Sequence, residues 1–187
     1  MSAPVTYDPT YLNKPLADWL FEKLWTEAPW ERRENAPRQE YWTNIYGQSY
    51  TYGRGAGERT YESKPEHVGV MMLAAMLNLR LGFVYEGCFL NGYAEGSDAL
   101  GWHADDDPLI DHPKPIAVIG LGGERDIQFK RKESGSHPET QLLKHGSLLL
   151  MHAGMQDTHF HRIPKTTKRV PARISLTFRA LIKKDTQ

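Results

Sequence analysis

The chain changes its hydrophobic period near residue 80, and that switch restricts its possible folds more than any other feature. Before it, apolar residues recur at helical spacing. Leu16, Trp19, Leu20 and Leu24, with Pro15 suited to a first turn, predict an amphipathic helix over residues 15–25. Val70, Leu73, Ala74 and Leu77 predict a second helix from Pro65 or Glu66 to about Leu79, with Gly82 as its stop. Beyond it the pattern is of short strands, expected at Phe83–Leu90, Ile116–Leu121, Ile127–Arg131, Ser147–His152 and Arg173–Ile182, punctuated by glycine, proline and aspartate. Helices first and strands after suit an α+β jelly roll, a double-stranded β-helix with the N-terminal helices packed on one sheet. A Rossmann or TIM fold would alternate the two. Gly120-Leu121-Gly122-Gly123 has the glycines of a phosphate loop, yet no helix pattern follows, so the segment reads as a tight turn.

A chain of 187 residues is expected to form one domain burying around two-thirds of its unfolded surface. The division expected over residues 1–187 is helices and a recognition lid over 1–80 and a jelly-roll core over 81–187. The single cysteine, Cys88, excludes an intramolecular disulfide, and no apolar run resembling a signal peptide opens the sequence, so a reducing, cytoplasmic setting is expected. Apolar stretches such as Leu148–Met151 fall far short of the roughly 20 residues that span a bilayer. Lys+Arg and Asp+Glu balance at 23 each, so net charge does not point to a polyanion. Distribution says more: Lys165, Lys168, Arg169, Arg173, Arg179, Lys183 and Lys184 crowd the last third, and acids concentrate from Asp105 to Asp111. A basic rim around an acidic pocket suits a polyanionic chain bound beside a metal, and a solvated terminal segment suits the same charges.

The chemistry concentrates in Gly101-Trp102-His103-Ala104-Asp105-Asp106-Asp107-Pro108. On a strand, His103 and Asp105 would point to the same face and could grip one ion. A non-haem Fe(II) centre needs two imidazoles and one carboxylate on one face of an octahedron, so a second histidine must come from downstream. His67 belongs to the early helix, and His112, His137 and His145 lie in turn-like surroundings. His152, His159 and His161 remain, and parity cannot separate the last two. Zinc on histidine and carboxylate is an alternative, although Cys88 has no partner thiols. Along Arg173-Ile174-Ser175-Leu176-Thr177-Phe178-Arg179, an apolar face alternates with one carrying both arginines. If that polar face lines the interior, a dicarboxylate such as 2-oxoglutarate would satisfy the two guanidiniums. The same alternation fits an edge strand with one solvated face.

Taken together, Asn91-Gly92-Tyr93, His103-Ala104-Asp105, His161-Arg162-Ile163-Pro164 and the Arg173–Arg179 stretch resemble the AlkB family of Fe(II) and 2-oxoglutarate-dependent nucleic-acid demethylases. The similarity runs from about Pro37 to Ile182 and takes in Pro37-Arg38, Tyr50-Thr51-Tyr52 and Gly146-Ser147-Leu148-Leu149. The resemblance implies His103, Asp105 and His161 as metal ligands and catalytic residues, leaving His159 beside the site or at the surface. It implies that Arg173 meets the distal carboxylate of 2-oxoglutarate, Arg179 the end that chelates iron, and that Asn91 and Tyr93 add hydrogen bonds. Ser175 stands where many relatives carry asparagine. The implied activity uses Fe(II), 2-oxoglutarate and O2, couples decarboxylation to hydroxylation of an N-methyl carbon, and releases formaldehyde from 1-methyladenine or 3-methylcytosine in DNA or RNA.

Within the resemblance, Asp107 falls where an acid accepts from the exocyclic amine of the damaged, cationic base, and Asp106 is expected to face solvent or an arginine. The base must be flipped or single-stranded, and would be sandwiched between His103 and an aromatic from Tyr50, Tyr52 or Trp42. Each of these rings could equally be core, and for Trp42 and Trp102 the core is the expected place. Arg38, with Arg54 and Arg59 around the glycine-rich 53–57 loop, could hold phosphates in a lid or be solvated. No hydrophobic strand-separating finger stands out, which favours single strands, and a monomer is expected. The alternatives are a 2-oxoglutarate hydroxylase of a protein or small molecule, a non-enzymatic nucleic-acid-binding module, and a zinc-dependent cupin-like protein.

Overall fold

The computed structural model of the chain describes residues 2–33, 36–52, 58–133 and 137–183. In chain order its elements are β1 (Val5–Asp8), α1 (Lys14–Glu27), β2 (Gln39–Asn44), β3 (Tyr50–Tyr52), β4 (Arg59–Tyr61), α2 (Val68–Leu81), β5 (Gly87–Tyr93) and β6 (Leu100–His103). There follow β7 (Ile116–Gly122), β8 (Arg125–Arg131), β9 (Glu139–Leu143), β10 (Ser147–Met151), α3 (Met155–Thr158), β11 (His159–Ile163) and β12 (Arg173–Arg179). A six-stranded sheet ordered β1-β10-β7-β12-β5-β2 faces a four-stranded sheet ordered β6-β11-β8-β9, and β3-β4 form a separate hairpin. All these pairings are antiparallel, as a jelly roll requires.

Both helices form where the spacing predicts, and their ends have physical causes. The Asn13 side chain accepts from the Leu16 N–H at 3.0 Å to start α1, with Pro15 in its first turn. α2 starts at Val68, later than expected, because the His67 ring accepts from the Gly69 N–H at 3.0 Å and caps it. It stops at Gly82, whose φ of 77° is a left-handed conformation that costs glycine least. Leu20 and Leu24 of α1, and Val70, Leu73 and Leu77 of α2, share one core with Ile174, Leu176 and Phe178 of β12. Each fully buried leucine there contributes about 1.5–3 kcal/mol. A second core between the sheets joins Val118 and Leu149 of the large sheet to Ile127, Phe129 and Ile163 of the small one.

Three expectations need correction. The large sheet does not begin at residue 81, because β1 pairs with β10 and β2 pairs with β5. Nor is the last strand an edge: β12 lies between β7 and β5 and is buried at every residue, so the face bearing its arginines looks inward. Most of the glycine-rich segment is strand rather than turn: Gly120, Leu121 and Gly122 end β7, and the turn to β8 in the other sheet follows at 123–124, with Gly122 at φ 81°. Among the described residues no helix is long and apolar enough to cross a membrane.

Candidate active site

The strand registers decide which side chains meet. β11 runs antiparallel to β6 with His161 opposite His103, so the two imidazoles lie side by side, ring centres 4.0 Å apart. β6 ends at His103, so the strand pleat does not place Asp105. Instead, Gln156 on α3 accepts from the Asp105 N–H at 2.8 Å and fixes the loop that turns this carboxylate inward. The ligand atoms of His103, Asp105 and His161 all lie within 4.8 Å of one another, and the three residues are buried. His103 Nδ1 is 2.9 Å from the Gly101 carbonyl. A carbonyl only accepts, so Nδ1 carries the proton and the lone pair of Nε2 faces the cluster. Two imidazoles and a carboxylate of this kind suit a ferrous non-haem centre.

Charge in this cavity is arranged for an ion. Burial holds both histidines neutral, His161 down to about 3, so their lone pairs are available at neutral pH. Burial alone would raise Asp105, but the Arg179 guanidinium, then the two histidines, hold it at about 2. Arg179 Nη2 donates to Asp105 Oδ2 at 2.9 Å, while its Nε has no partner among the described residues. Arg173 is fully buried: its Nη1 donates to the Gly123 carbonyl at 3.1 Å, but its Nε and Nη2 are unpartnered among the described residues. Gly120 makes room for it, since a Cβ there would lie 2.7 Å from Arg173 Nη2. Burial lowers Arg173 to about 10, which still leaves it cationic at neutral pH.

Two cross-strand pairs bring the other inward polar groups together, Tyr93 opposite Arg173 and Asn91 opposite Ser175. The Tyr93 hydroxyl is buried and unpartnered among the described residues. Asn91, Tyr93, Ser175 and Arg179 line one cavity with the three putting forward metal-binding atoms, His103, Asp105 and His161; Arg173 stands outside that lining. Unpaired buried donors of this kind cost free energy unless an acceptor meets them, and a dicarboxylate is such an acceptor.

A second cleft opens above His103, lined by Tyr50, Tyr52, Trp102, Asp107 and Phe160. Tyr52 presents its ring to His103 at 5.9 Å and 84°. Tyr50 is only 2% exposed and packs against Trp42 and Phe89, so it is a wall of the site. Trp42 is core, as expected. Trp102 is not: it is partly exposed at the cleft. Asp107 Oδ1 accepts from the Leu109 N–H at 2.8 Å, which fixes that side chain at the cleft. Asp106 faces solvent, as expected, with Lys132 rather than an arginine 3.6 Å away.

Arg38 also departs from expectation. It is 7% exposed, pairs with Glu40 at 2.6 Å, and donates to Asn91 Oδ1 and the Ala99 carbonyl. A guanidinium so engaged braces the wall of the cavity that holds His103 and Asp105. Arg59 borders a groove with Tyr52 and Trp102, and Arg54 lies outside the described residues. His159 is buried, with Nδ1 2.9 Å from Thr158 Oγ1. His152 meets Thr6 at the surface.

The description "2OG-Fe(II) oxygenase superfamily" matches residues 4–179, and the chain belongs to that superfamily. Its members are dioxygenases that use Fe(II), 2-oxoglutarate and O2, and the donor set above fits the metal and a dicarboxylate. Among curated proteins the chain is 29% identical to the alpha-ketoglutarate-dependent dioxygenase alkB homolog 3 of Rattus norvegicus over 92% of its own length and 62% of the relative's. It is 29% identical to the Homo sapiens homologue of that protein, covering 92% and 64%. Against the DNA oxidative demethylase ALKBH2 of Bos taurus it is 29% identical, covering 91% and 66%. The chain thus spans a little under two-thirds of the length of these relatives.

Proposed function

We propose that this protein removes methyl groups from ring nitrogens of nucleobases in DNA or RNA, of the 1-methyladenine and 3-methylcytosine type. The observation that carries the reading is the buried His103, Asp105 and His161 cluster, braced by Arg179 and roofed by an aromatic and acidic cleft. The relatives' names, a DNA oxidative demethylase among them, support the substrate class.

In this reading the three clustered side chains hold Fe(II), which when bound supplies the activation of dioxygen coupled to 2-oxoglutarate decarboxylation. Arg179 pairs with the carboxylate nearer the metal and Arg173 with the distal one, while Tyr93, Asn91 and Ser175 hydrogen-bond to the cosubstrate. Tyr50 and Phe89 wall the cavity from water. Tyr52 closes over the base opposite His103. Asp107, oriented by Leu109, accepts from the exocyclic amine and draws the cationic lesion inward. In this reading the working unit is a single copy acting on a single strand in a reducing compartment.

The test is incubation of the purified protein with Fe(II), ascorbate and 2-oxoglutarate on a short single-stranded oligonucleotide carrying 3-methylcytosine. Loss of the methyl group with stoichiometric formaldehyde is expected. Succinate formation on other substrates with every methylated oligonucleotide left intact would replace this reading with a hydroxylase of protein or small molecules.

A further inference from the structure

Strand residues that alternate with His103 and His161 point away from the cavity. On the small sheet these are Trp102 of β6, Phe160 and Arg162 of β11, and Lys130 of β8, which pairs with Phe160. Lys130 Nζ lies 4.6 Å from the centre of the Trp102 ring, and the Arg162 guanidinium carbon 4.4 Å from it. Lys132 Nζ lies 5.1 Å from the Phe160 ring. Among the described residues, no carboxylate comes within ion-pair distance of Lys130 or Arg162. Arg162 donates its Nε to neutral Gln128, and Lys132 meets Asp106 at 3.6 Å in an exposed pair that contributes little. Cations steadied over rings keep most of their donors for an outside anion. Trp102 and Phe160 also line the cleft above His103, so this outer face continues from the candidate active site.

We propose that this face is a phosphate track, on which Lys130, Lys132 and Arg162, steadied by Trp102 and Phe160, bind the backbone of the strand whose target base enters the cleft. The inference rests on the nucleic-acid reading of the cleft and adds where the flanking nucleotides run. Charge complementarity and continuity with the cleft select a nucleic acid as occupant.

The test compares the wild type with the Lys130→Gln/Arg162→Gln double variant, and separately with Lys132→Gln, on fluorescein-labelled oligodeoxythymidylate and oligouridylate across a salt series. The double variant is expected to bind about tenfold or more weakly, with a log–log salt slope shallower by about 1.4, the value for two single-strand phosphate contacts. The KM for a methylated oligonucleotide should rise in step, with kcat changed far less. A loss on either polymer supports the track and identifies the polymer. Unchanged affinity and slope on both, in variants with wild-type circular dichroism, would overturn it. So would equally tight, equally lost binding of poly-L-glutamate, which would assign the face to acidic proteins. If the wild type demethylates but the variants bind normally, the track alone fails; a wild type that neither binds nor demethylates any oligonucleotide removes the functional reading beneath it.

Discussion

Asp105 is the partner of Arg179 and, in the proposed reading, a metal ligand, and the two tasks fail differently. Asp105→Ala is expected to abolish turnover and to leave Arg179 buried without its anion, so loss of iron binding should come with loss of thermal stability. Arg173→Ala removes a charged pair of donors whose loss costs about 1.5–3 kcal/mol. It should raise the KM for 2-oxoglutarate by roughly 10- to 100-fold, with a smaller change in kcat; an unchanged KM would remove Arg173 from the cosubstrate site. The histidines give the metal-free protein a pH signature. Unfolded, they take up protons near the ordinary imidazole value of about 6.5, whereas burial keeps His103 lowered and His161 at about 3 in the fold. The unfolded state therefore binds more protons as pH falls, and stability drains away from about 6.5 downward. Asp105, held at about 2, adds its own loss only at more acid pH. Thermal melts of chelator-treated protein should show the midpoint falling between neutral pH and about pH 5. At this scale the His103/Asp105 pair and the two arginines are readable because each motif is local, whereas His161 is separated from His159 only by the family resemblance. Gln156 is not readable, since its partner lies 51 residues away. The pairing of Arg38 has a clue in the sequence, since Glu40 stands two residues on.

β12 places Ser175, Thr177 and Arg179 on the cavity and its outward apolar residues against α1 and α2. Leu176→Ala is therefore expected to cost about 2–5 kcal/mol of stability while leaving the KM for 2-oxoglutarate close to wild type, which denaturant unfolding and kinetics would separate. Gly82→Val, placing a β-branched residue at a φ of 77° that ends α2, should lower the melting temperature with little effect on the site. The elements legible in advance are those with a strong period, α1, α2, β7, β8, β10 and β12, with β5 caught in part. β1, β2 and β11 carry no such signal. Val5–Asp8 is too short, Gln39–Asn44 mixes polar and aromatic residues, and His159–Ile163 alternates histidines where apolar residues normally stand. Each is specified by its neighbours in the sheet rather than by its own composition.

The whole molecule joins its two sheets through an ion pair as well as through the hydrophobic interior: Arg179 belongs to the large sheet, and Asp105 follows the last residue of β6 in the small one. Bound Fe(II) should therefore raise the melting temperature, by an amount growing with the logarithm of metal concentration above the dissociation constant. A chelator should reverse that gain without unfolding the chain, as read by circular dichroism. Because the arginine already neutralises the carboxylate, stripping the ion does not strand a lone negative charge between the layers. Metal removal is therefore expected to leave the fold and the shape of the cavity in place, and returned Fe(II) to rebind without refolding.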